Sequence, residues 1–162
     1  MRTPLLLTIA TTLTLIACGG EENVDPNNHH NENHENHGTT NHGNAEVDVY
    51  VDGLMKEGHE GHLQVVLMSA DPAPPDVGDN SWTIRVVDLD GEPIDDAKVT
   101  VTPFMPAHGH GTSPADYTGT FTDDGTYEVG PFDLFMPGMW ETTVKVEGDV
   151  DDMVTYAFML EG

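Results

Sequence analysis

From Ala45 onward, apolar residues recur at every second position in one short run after another, and this alternation constrains the fold more than any other feature. Val47, Val49 and Val51 alternate with Glu46, Asp48, Tyr50 and Asp52. Trp82, Ile84 and Val86 lie opposite Thr83 and Arg85, and Val99 and Val101 lie opposite Lys98, Thr100 and Thr102. Trp140, Val144 and Val146 oppose Glu141, Thr143, Lys145 and Glu147; Val154, Tyr156, Phe158 and Leu160 close the chain on one face. A period of two places such residues on one side of a strand. His62 to Ala70 is strongly apolar, Thr126 to Leu134 reads as another strand, and Thr118 to Thr122 as a short one. Between them stand the turn-rich Gly53 to Gly61, Gly78-Asp79-Asn80, Asp90-Gly91-Glu92-Pro93 and Asp123-Asp124-Gly125. Asp71-Pro72-Ala73-Pro74-Pro75 is incompatible with helix or inner strand and is expected to run extended over the surface. No segment after the N-terminal apolar run has helical period. Seven or eight short strands with turns roughly every 8–12 residues predict an all-β chain, an immunoglobulin-like antiparallel β-sandwich over residues 45–162. A small closed barrel would give the same pattern, and the Cys…Trp…Cys spacing of antibody domains is absent.

The 162 residues suffice for one domain with an ordinary core. Lys and Arg number 5 against 29 Asp and Glu, a formal charge of −24. That field repels phosphate backbones, so no nucleic acid is expected as partner; cations are favoured, and solubility is the simplest use of the charge.

Met1-Arg2-Thr3-Pro4 and the apolar run Leu5 to Ala17 have the form of an export signal, residues 1–17, too short for a membrane span of about 20 residues. The ending Leu15-Ile16-Ala17-Cys18 resembles the lipobox of bacterial lipoproteins, which implies lipidation of Cys18 and a membrane-anchored mature N-terminus. Plain secretion with a free thiol is the alternative. Gly19 after the cysteine favours the outer over the inner membrane by the sorting pattern of such lipoproteins, facing the periplasm or cell surface. Cys18 is the only cysteine, so the domain is expected to fold without a disulfide or thiolate ligand.

Residues 18–44 are dominated by Asn, His, Glu and Gly, with Val24 the one large apolar residue after Cys18. Such a stretch buries too little to offset its ordering entropy and is expected to be a disordered tether. His29, His30, His34, His37 and His42 make it a candidate auxiliary metal collector, against a reading as polar spacer.

Two stretches within the β region carry unusual chemistry. Thr102 to Thr112 contains Met105, His108 and His110, and Phe135 to Glu141 contains Met136 and Met139 around a Pro-Gly turn. In an extended segment His108 and His110 project to one side. Two imidazoles with thioethers and no thiolate suit copper, because thioether favours Cu(I) and imidazole accepts either redox state. The competing reading makes the methionines core residues and the histidines polar loop residues or a docking edge for another envelope protein. His59 and His62, beside Glu57 and Glu60, are possible auxiliary ligands. Gly-x-Ser-x-Gly, His-Glu-x-x-His and phosphate-cradling loops are absent, so a non-enzymatic protein is expected.

Together Pro74-Pro75, Gly78-Asp79-Asn80, Trp82, Asp88, Gly91-Glu92-Pro93, Ala97, Val99, Met105-Pro106-Ala107-His108-Gly109-His110-Gly111, Gly125-Thr126-Tyr127 and Phe135-Met136-Pro137-Gly138-Met139-Trp140-Glu141 resemble the YtkA-like/FixH-like family of bacterial envelope proteins, from about Leu63 to Glu147. The resemblance implies an immunoglobulin-like sandwich in the envelope and, for some relatives, a link to copper handling or cytochrome oxidase maturation. Unlike FixH-like members, this chain lacks a transmembrane helix and carries a His-rich tether.

Overall fold

A computed structural model describes residues 46–162. The lipidation site Cys18 and the histidines His29, His30, His34, His37 and His42 lie outside the described residues. Ten strands follow in order: β1 Leu54–Glu57, β2 Leu63–Asp71, β3 Gly78–Asp88, β4 Lys98–Met105, β5 His110–Gly111, β6 Tyr117–Thr118, β7 Thr120–Phe121, β8 Thr126–Leu134, β9 Gly138–Glu147 and β10 Asp152–Leu160. There is no helix among the described residues.

The strands form two antiparallel sheets, one ordered β1-β2-β3-β8-β7 and the other β10-β9-β4-β5, with β6 also paired to β4. The run β2-β3-β8-β7 reproduces the A-B-E-D order of an immunoglobulin-type sandwich, and β10-β9-β4 reproduces G-F-C. The expected fold class is therefore the observed one. The strand count exceeds seven or eight because β5, β6 and β7 are two-residue fragments and β1 is an added edge.

Alternation builds the core. Leu63, Val65 and Leu67 of β2 face Val99 and Val101 of β4 and Val144 and Val146 of β9 across the sandwich, all buried. Each such side chain contributes about 1.5–3 kcal/mol by leaving water. Trp82 sits among them, edge-on to Phe132, Tyr156 and Phe158 at ring separations of 5.3, 5.9 and 5.9 Å. Tyr156 ties the two sheets by donating its hydroxyl to the Val65 carbonyl at 2.8 Å. Burial, with the nearby Asp48 carboxylate, pushes that phenol well above its ordinary pKa.

The valine run before β1 departs from expectation. Residues 46–51 form no strand, and Val47, Val49 and Val51 point outward, Val49 at 81% exposure. The intervening residues face the protein instead. The Asp48 N–H donates to the Ala157 carbonyl, and the Asp48 carboxylate accepts from the Ala157 N–H at 2.8 Å and from Lys56 Nζ at 2.6 Å. Tyr50 packs on Phe158 and accepts the Ala70 N–H. Specific polar pairing has overridden the apolar pattern. It also blunts the free edge of β10: Lys56 Nζ occupies the Thr155 carbonyl and the His59 N–H occupies that of Met153. Lys56 lies in β1, within a stretch expected to be only turns; the strand is four residues long and carries two charges, which hides its alternation.

Candidate functional site

Strand β4 delivers Met105 to one end of the sandwich, where its carbonyl accepts the N–H groups of His108 and Gly109 at 3.1 and 2.9 Å. Gly109 closes this turn at φ +67°, a left-handed conformation that a side chain would strain. The chain then returns as β5, pairing His110 with Met105 and Gly111 with Phe104. A Cβ on Gly111 would lie 2.5 Å from the Pro103 carbonyl oxygen, so the close pairing needs glycine. Directly opposed residues share a face. His110 therefore lies on the core side with Met105, at the open end between the sheets.

There it meets the second stretch. The His110 ring stacks on Phe135 with centroids 5.5 Å apart and planes 16° apart, and stands edge-on to Trp140 at 6.3 Å. Phe135 and Trp140 are themselves edge to face at 5.6 Å. Trp140 is buried and donates its indole N–H to the Met136 carbonyl at 3.0 Å, which fixes the turn between β8 and β9. Gly138, at φ +125°, leaves room for the Met105 methyl, which comes within 2.5 Å of where its Cβ would stand. The two stretches thus meet at one end, and the His108 and His110 rings lie side by side with centroids 5.6 Å apart.

The thioethers divide. Met105 is buried in the core cluster, where its sulfur serves packing. Met136 is half-buried against that cluster. Met139 precedes inward-facing Trp140 and so projects from the opposite face of β9, in register with Met159 of β10. Met139 does not join the imidazoles; its parity with Trp140 forbids it. His59 and His62 do not join them either. They lie before β2, at the end where β10 begins, and the ten residues of β9 separate the two ends by about 30 Å. There Asp152, almost fully buried, accepts the N–H groups of Glu60 at 3.0 Å, His62 at 2.9 Å and Met153 at 2.7 Å. Burial pushes the Asp152 carboxyl up, but these three donors outweigh it and hold its pKa below the ordinary value. Among the described residues no three His, Cys, Asp or Glu side chains gather into a metal-holding group.

Two contributors escaped the sequence reading. Phe135, the platform under His110, was visible only as an aromatic just past buried Leu134, hence on the opposite parity. Asp152 gave no signal, since one carboxylate in an acidic turn looks like any other.

Fold and end-loop chemistry together describe an immunoglobulin-like β-sandwich presenting a histidine-aromatic-methionine edge. The chain belongs to the YtkA-like family, whose model matches residues 57–145, more than half its length. No curated protein and no solved structure matches it.

Proposed function

We propose that this protein is a lipid-anchored, non-enzymatic component of the bacterial cell envelope that binds copper or a similar transition metal at its histidine edge, for sequestration or delivery. The observation that carries this reading is the pairing of His108 with His110, whose ring is backed by Phe135 and Trp140. With metal–nitrogen bonds of about 2.0–2.1 Å and ring centres about 1.1 Å behind the nitrogens, two imidazoles on one ion at about 120° stand roughly 5.5 Å apart. The observed 5.6 Å fits. Met136, half-buried on the adjoining turn, is the thioether this reading adds to the set, and thioether with imidazole suits copper in its lower oxidation state. The His-rich segment with His29, His30, His34, His37 and His42 would raise the local ion concentration, and the anchor at Cys18 would hold the domain at the membrane, the outer one by the residue that follows.

A second reading has its own observation: Phe135, stacked on His110, is 47% exposed, and Phe104, on the other face of β4 beside Met105, is 40% exposed. Exposed aromatics of this kind suit docking of another envelope protein. Anaerobic Cu(I) titration of the full chain against a competing chelator, with and without His108→Ala and His110→Ala, separates the two. Loss of the tightest site in the double variant supports metal binding here. Unchanged affinity assigns the metal to the His-rich segment alone and leaves this edge to docking.

A further inference from the structure

Seven of the eight methionines lie among the described residues, yet Met105 is the only one buried. Methionine ordinarily fills core gaps. Here Met55, Met68, Met153 and Met159 are exposed and Met136 and Met139 half-exposed. Two of them are matched. Met139 of β9 and Met159 of β10 are directly opposed, and both project from the outer face of their sheet. The rest of that face on β9 is polar, reading Glu141, Thr143, Lys145 and Glu147. Phe104, opposite Glu141 on β4, borders the pair.

We propose that Met139 and Met159 form a second soft-metal site, distinct from the imidazole edge, for a monovalent d10 cation such as Cu(I). Opposed residues on one face have Cβ atoms about 4.5–5.5 Å apart. Each sulfur is two bonds beyond its Cβ, so rotamer changes alone bring the sulfurs to about 4.6 Å, the span of two metal–sulfur bonds of about 2.3 Å. Thioether is a soft, neutral donor that selects Cu(I) over hard divalent ions. Glu141, two residues along the same face, supplies the compensating charge. The site lies beside the imidazole edge: Met139 adjoins Trp140, whose ring reaches His110. A thioether pair at the surface is suited to receiving or releasing the ion, and this role rests on the copper reading of the histidine edge, whereas the site itself does not.

The test is NMR of the full chain with isotope-labelled methionine methyl groups, assigned by single Met→Leu variants and titrated anaerobically with Cu(I). The Met139 and Met159 signals are expected to move together and saturate at one concentration. Met159→Leu, a near-isosteric change at an exposed position, should weaken the Met139 response at least tenfold. His108→Ala with His110→Ala should leave it unchanged. Methyl signals that stay still, or a Met139 response indifferent to Met159→Leu, overturn the proposal. Failure of the histidine reading shows separately, as His108 and His110 ring signals that do not move.

Discussion

The described sandwich carries a histidine pair at each of its two ends, and the two are held in opposite ways. His59 and His62 have their backbone N–H groups committed, one to the Met153 carbonyl and one to the Asp152 carboxylate, and the His62 ring itself leans on the Asp151 carbonyl at 3.3 Å. This loop is a latch that closes the end of the sandwich. His108 and His110 are held by aromatic stacking and a tight turn, and among the described residues the one partner near either ring nitrogen is the Gly111 carbonyl, 3.4 Å from His110. Similar residue types thus serve closure at one end and presentation at the other. What distinguishes them is whether a buried counter-group consumes the hydrogen-bonding capacity around them.

The strongest way to break this comparison is at Trp140, the shared wall of core and edge. Trp140→Ala removes a buried side chain and its bond to the Met136 carbonyl, and should cost about 3–5 kcal/mol in denaturant unfolding. A loss under 1 kcal/mol would mean that the edge is not built on the core.

Next comes the latch. Asp152→Ala strands three backbone donors, and hydrogen bonds to a charged group are worth about 1.5–3 kcal/mol each, so a loss of at least about 2 kcal/mol is expected. Gly58→Ala should act through the same contact, because its new methyl would lie 2.1 Å from an Asp152 oxygen. Wild-type stability in both variants would deny the latch.

The sandwich was legible because its long strands show themselves by alternation: β2, β4, β8, β9 and β10 fall within two residues of the periodic runs, and β6 and β7 lie within one residue of Thr118 to Thr122. β3 runs further back, through Gly78-Asp79-Asn80, expected as a turn, because those residues already pair with Leu134, Asp133 and Phe132 of β8. The exceptions are physical. At Val47, Val49 and Val51, pairing of Asp48 with Ala157 and Lys56 decides which face turns inward, a long-range contact invisible to local periodicity. The convergence of the two end stretches was legible from the strand ends that carry them. The membership of the site was not, since Met105 shares the face of His110 but is withdrawn into the core, and Met139 is separated from the imidazoles by parity, which its place next to Trp140 already showed.

A smaller effect is expected at the histidine edge. His108→Ala with His110→Ala touches an exposed and a half-exposed ring, so thermal stability should stay within about 1 kcal/mol of the parent. Tight Cu(I) binding should be lost in the same protein. The mirror variant, His59→Ala with His62→Ala, keeps the backbone donors and should change neither stability nor metal affinity measurably. A metal defect in the mirror variant instead would reverse the assignment of the two ends.

The smallest effect is a local one, in acid. Asp152 has its pKa lowered, and Glu147 is held at about 2 by its bonds to Lys145 and Lys98. Folded values below the unfolded ones, near 3.9 for Asp and 4.3 for Glu, mean stability that is present above those values and lost as pH falls through the lower folded ones. Global unfolding is a poor readout here. With a formal charge of −24, acid also relieves the repulsion within the protein, which works in the opposite direction. The Glu147 contacts are also solvent-exposed, where ion pairs count for little. The amide signals of Glu60 and His62 report Asp152 directly. Below about pH 3.9 they should shift and lose protection, while the Trp140 indole signal, whose partner is the uncharged Met136 carbonyl, stays in place. Asp152→Asn should remove that pH dependence and Glu147→Gln should leave it intact. Both ends loosening together would show that the latch and the edge are one cooperative unit, and the contrast between the two histidine pairs would then be one of chemistry without independent mobility.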